Sequence, residues 1–176
     1  MKRLLAVALS AAAVLLSLGG PAAAQSVRTY SLSRGATVTP ASPGLDPSGA
    51  PVYMGGLVAG QADGAAPGTF TLSLGFRSTG VIDPAAGVYG GEIVPQYSSF
   101  VVNEGTGRKS VSTSGSIDAG TVTYRLTPDG RAEVISVVSG GLTVWEGKSK
   151  RRTAVAQGTL DYGTLSEGGG TIVLYF

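Results

Sequence analysis

The sequence has no cysteine and no histidine among its 176 residues. The first absence removes disulfides, thiol nucleophiles and thiolate metal sites. The second removes Ser-His-Asp triads, His-ligated zinc and haem, and the imidazole that usually serves as general base near neutral pH. Asparagine occurs once, at Asn103, outside any glycosylation sequon. Charged residues make up only 14% of the chain and aromatics 7%. With no covalent staple, stability must come from packing and sheet hydrogen bonds.

One hydrophobic run stands at the start. Lys2 and Arg3 precede the apolar stretch from Leu4 to Leu18, and Pro21-Ala22-Ala23-Ala24 follows with small side chains. This is the three-part pattern of a bacterial-type secretory signal, with cleavage expected after Ala24. The run is shorter than the ~20 residues a spanning helix needs. Without residues 1–24, 152 remain (176 − 24), enough for one domain with its own core. All 11 acidic residues lie in that part, against 13 − 2 = 11 basic ones. The mature domain is therefore neutral, with no general electrostatic pull on nucleic acid or anionic membranes. Its expected location is secreted or periplasmic.

What is present reads as β-structure. Phe70, Leu72, Leu74 and Phe76 alternate with small or polar residues, the period of a half-buried strand. Val122, Tyr124 and Leu126 alternate likewise, Pro128-Asp129-Gly130 makes a turn, and the return strand puts Arg125 opposite Glu133. Further strands are expected at 100–102, 111–117, 142–146, 153–162 and 171–176, with a turn at Gly140-Gly141. Residues 27–38 and 52–58 give weaker strand patterns. Residues 39–68, with five prolines, read as a long Pro/Gly-rich loop around one short strand. The triplets at Gly68, Gly120, Gly158 and Gly170, each followed by Thr and an apolar residue, read as turn glycines opening strands. Their spacing is too irregular for a repeat fold. The expected fold is all-β: an antiparallel sandwich or small closed β-barrel ending in a meander, preceded by the cleaved signal helix.

The chemistry left to such a chain is narrow. Carboxylates at Glu92, Glu104, Asp118, Glu133, Glu146 and Asp161 suit a glycan-active enzyme on paper, but no spacing pairs two of them. Five residues separate Gly141 from Gly147, before Lys148-Ser149, where a phosphate loop needs four. Asp46 and Asp63 have no calcium motif behind them. No catalytic residue, metal or cofactor is assigned.

One segment is uneven. Trp145, Lys148, Lys150, Arg151 and Arg152 gather the only Trp and four of the mature cations at one turn. A ring to stack on a sugar beside cations suits an envelope glycan or an acidic polymer. The bland alternative is a solvated turn whose charges block edge pairing, with a Trp in the core. The leading expectation is an exported, non-catalytic binding or envelope-associated domain. The aromatic C-terminus, ending Leu174-Tyr175-Phe176, raises an outer-membrane β-barrel as the alternative. The carboxylate-dependent enzyme comes third.

Overall fold

The structure is a computed structural model and describes residues 26–33, 36–105, 109–147, 152–164 and 169–176. The expected signal segment at 1–24 lies outside the described residues, as do Lys148, Lys150 and Arg151.

Among the described residues eleven strands follow one another: β1 (Val27–Leu32), β2 (Thr37–Thr39), β3 (Ser42–Leu45), β4 (Pro51–Asp63), β5 (Pro67–Asp83), β6 (Val88–Ile93), β7 (Ser99–Glu104), β8 (Val111–Leu126), β9 (Ala132–Glu146), β10 (Thr153–Gly163) and β11 (Gly170–Tyr175). All their pairings are antiparallel, and they join into one sheet that closes on itself. The ring has eight wall positions. β1, β2 and β3 pair in succession along β4 and share one position. β6 and β7 share another, split by a 3-10 turn at Pro95–Tyr97, because both pair with β5 on one side and β8 on the other.

Following directly opposed residues around the wall leads from Val27 to Tyr175, Gln157, Thr143, Ser116, Ser99, Ser73 and Leu57, and back to the starting wall position at Thr39 of β2. The circuit returns twelve positions late (39 − 27), so the strands are strongly tilted. For eight strands that geometry leaves an interior about wide enough for side chains to fill. The row just traced faces outward and is mostly Ser, Thr and Gln. Inside are Tyr30, Phe70, Leu72, Leu74, Phe76, Phe100, Ile117, Tyr124, Leu142 and Leu160, each at most 1% exposed. Phe70 of β5 meets Tyr162 of β10, four wall positions away in either direction round the ring, with ring centroids 5.3 Å apart. The interior is therefore packed.

Several expectations are borne out, and others are corrected. The turn at 128–130 joins β8 to β9, with Arg125 opposite Glu133 as the alternation requires. Residues 39–68, read as a long loop around one short strand, instead hold β3, the thirteen-residue β4 and the start of β5. Pro51 and Pro67 open β4 and β5, Pro40 and Pro47 lie between strands, and Pro43 lies in the short β3, positions that tolerate proline. Gly140-Gly141 is no turn, since β9 runs through it with an irregular register against β8.

The four triplet glycines share a different cause. A Cβ on Gly68, Gly120, Gly158 or Gly170 would run into a carbonyl oxygen of the neighbouring strand: Asn103, Val138, Val173 or Asp161. Gly120 and Gly158 lie inside β8 and β10 rather than at their starts. These are places where the sheet curls too tightly for a side chain, as a closed barrel requires.

Candidate functional site

Trp145 stands near the end of β9, one residue beyond the inward-facing Val144. Strand alternation therefore places it on the outer wall, and it is 39% exposed. The alternative of a core Trp is thus corrected. Its ring does not swing freely. The indole N–H donates to Ser116 Oγ on the adjacent β8 (3.0 Å), Ser116 Oγ donates to Asp118 Oδ1, and Thr143 Oγ1 donates to Asp118 Oδ2. The anchor arises from register: Ser116 lies directly opposite Thr143, so the two hydroxyls flank one carboxylate.

Beside the ring is a hollow of about 360 Å³ on the outer wall. Its lining includes Ser99, Ser114 and Ser116, together with Trp145 and Arg152. Arg152 arrives from the start of β10, whose Ala154 lies opposite Trp145. Two of the five residues singled out from the sequence are therefore brought to one surface. The other three lie outside the described residues. The serines were not legible as partners, because single hydroxyls in different strands carry no motif until β7, β8 and β9 are laid side by side.

The carboxylates considered for catalysis are dispersed. Asp118 is held by Ser116 and Thr143. Glu104 accepts from Tyr30 Oη (3.1 Å) and the Ala65 amide (2.9 Å). Glu133 lies across from Arg125, Glu92 across from Arg77, and Asp161 is exposed on β10. Asp46, weighed as a calcium ligand, is engaged by its own turn. It accepts from the Ser48 hydroxyl (2.6 Å), the Arg77 guanidinium and the Ala50 and Ser48 amides. The Ser48 hydroxyl, then Arg77 and the Ala50 amide, hold its pKa well below the usual carboxylate range. Among the described residues no three His, Cys, Asp or Glu side chains gather closely enough to hold a metal ion.

No protein-family model, curated protein or solved structure matches this chain. The reading of its function therefore rests on its own geometry.

Proposed function

We propose that this protein is an exported, non-catalytic binding module whose Trp145 face takes an acidic glycan or polymer of the cell envelope. The observation that supports it is the anchored, outward-facing indole beside Arg152 and a serine-lined hollow. An aromatic face stacks on the apolar face of a sugar ring, and hydroxyls and a guanidinium meet its polar edge and acidic groups. A ring already fixed by Ser116 loses little freedom when a ligand settles on it, which favours affinity.

Trp145 is the only Trp, so its fluorescence reports on this surface alone. Titration with oligogalacturonate should change Trp145 emission saturably. Trp145→Ala should abolish binding measured by calorimetry, and Arg152→Gln should weaken the acidic ligand several-fold while sparing a neutral oligosaccharide. Unchanged binding in Trp145→Ala would remove the reading. Export itself is tested by the mature mass, expected to begin at Gln25.

The alternative, an outer-membrane barrel, calls for an apolar band facing lipid. Here the outward row is hydroxyl- and amide-rich from Gln157 through Thr143, Ser116, Ser99 and Ser73, its exposed apolar members are only Val27, Leu57 and Tyr175, and the large buried apolar side chains point inward. That sidedness favours a barrel bathed in water. Release by osmotic shock without detergent is the expected behaviour, and extraction only with detergent would favour the alternative.

A further inference from the structure

Among the described residues, the first half of β1 lacks a strand partner on one side. The Phe176 amide donates to the Ser26 carbonyl (2.8 Å), which fixes the ladder alternation. Residues 26, 28, 30 and 32 turn their N–H and C=O groups toward β11, while 27, 29 and 31 turn theirs the other way. On that other side Ser31 meets Asp63 and Leu32 meets Ala62. There β4 ends, and the chain leaves through Gly64, Ala65 and Ala66 into β5. Val27 and Thr29 consequently have no strand partner on that side among the described residues. They border a hollow of about 620 Å³.

The lining of the hollow narrows what would fill it. Among the described residues its cations are Arg28, whose guanidinium lies 4.6 Å from the Phe176 ring centroid, and Lys109. Its one carboxylate, Glu104, already accepts through both oxygens, from Tyr30 and Ala65. The small residues Ala65, Ala66 and Gly105 leave room, and Val111 offers an apolar contact. Backbone groups in a row ask for alternating donors and acceptors, which another peptide strand supplies. Two cations against one carboxylate leave the described lining net positive, which favours a negatively charged occupant.

We infer that β1 is an acceptor edge for an extended acidic peptide of about four residues from another protein, which adds to the sheet along Val27–Tyr30. A second copy of this chain is the poorer occupant, because pairing β1 with β1 would set Arg28 and Lys109 of one molecule against the same cations of the other. The site is separate from the Trp145 hollow, so either can fail without the other.

The test is NMR titration of the ¹⁵N-labelled mature protein with acetyl-Thr-Glu-Val-Glu-Val-amide. Three controls accompany it: a twin with Lys in place of Glu, a twin N-methylated at alternate backbone positions, and the variant Thr29→Pro. The Val27 and Thr29 amides should shift and gain exchange protection, and both twins should bind at least tenfold more weakly. Thr29→Pro removes an N–H that makes no bond to β11, so the fold should persist while binding falls at least tenfold. Equal binding by the N-methylated or Lys twin would overturn the inference, as would unmoved amides at Val27 and Thr29. Dimerisation of the free protein through β1 would overturn it too. If Thr29→Pro does not fold, the N-methylated twin decides alone.

Discussion

The two ends of this barrel are finished differently. At one end Tyr53, Phe76, Tyr89 and Tyr124, from four wall strands, pack their rings with centroids 5.0–5.5 Å apart. Tyr124 also donates to Ser78 (2.9 Å), so its polar tip is satisfied as its ring is buried. The other end carries the chain's described termini and the hollow bordered by Arg28, Glu104, Lys109 and Val111. A single sheet thus ends in an aromatic plug on one side and a charged opening on the other. Closure of the wall and closure of the ends are separate matters. The first depends on strand register and tight glycine corners, the second on which side chains occupy the last inward positions.

Substitutions at the two ends should therefore cost very different amounts. Phe76→Ala removes a fully buried ring from the plug and should lower stability by about 3–5 kcal/mol in urea unfolding. A loss below 1 kcal/mol would mean the plug is not packed. Between the ends, Gly158→Ala forces a methyl toward the Val173 carbonyl and should cost about 1–3 kcal/mol, read as a lower thermal midpoint. At the open end, Val111→Ala should change stability by no more than about 0.5 kcal/mol, since its side chain is already half in water. A cost like that of Phe76→Ala would erase the contrast.

Titration sharpens the same comparison. Burial, with the neighbouring Tyr124 and Tyr89, raises the Tyr53 phenol above its ordinary value. A raised folded pKa contributes stability that is complete below about pH 10 and is lost as pH climbs through the folded value. Alkaline unfolding should therefore begin above pH 10 and be shallower in Tyr53→Phe. Asp46, at the turn leading into β4, has the opposite sign. Its lowered pKa gives stability present above about pH 4 and lost as pH falls toward the folded value. Urea midpoints at pH 7 and pH 3 should differ less in Asp46→Asn than in the parent.

How much of this was legible before the fold depends on which residues carried the signal. The alternation of Phe70 to Phe76 and the turn at 128–130 are local, so β5 and the β8–β9 hairpin could be read directly. β4 could be read only in part, as the weak pattern at 52–58, because Gly55, Gly56 and Gly60 dilute its alternation and the prolines around it resemble loop punctuation. Gly55 takes a positive φ in open space, while the other two fit close neighbours: a Cβ on Gly56 would press on Ala41, and one on Gly60 on Phe70. The triplet glycines were visible as a pattern, but their cause lies in the adjacent strand. At the site, Trp145 and Arg152 stood out by composition. Ser116 and Asp118 did not, because their roles come from register with Thr143.

Closure of the wall is the claim on which the inside-outside argument depends, and its narrowest point is the two-pair contact between β1 and β4. Ser31 and Asp63 face each other there, both exposed. They form a hydrogen-bonded antiparallel pair, for which the usual Cα separation of about 5.5 Å suits a disulfide. Because the chain lacks cysteine, Ser31→Cys/Asp63→Cys can form only this bridge within one molecule. Mild oxidation of the folded monomer should leave no titratable thiol and lower the mass by two hydrogens. Two free thiols persisting in the folded, oxidised monomer would mean that β1 and β4 do not meet and that the sheet is open.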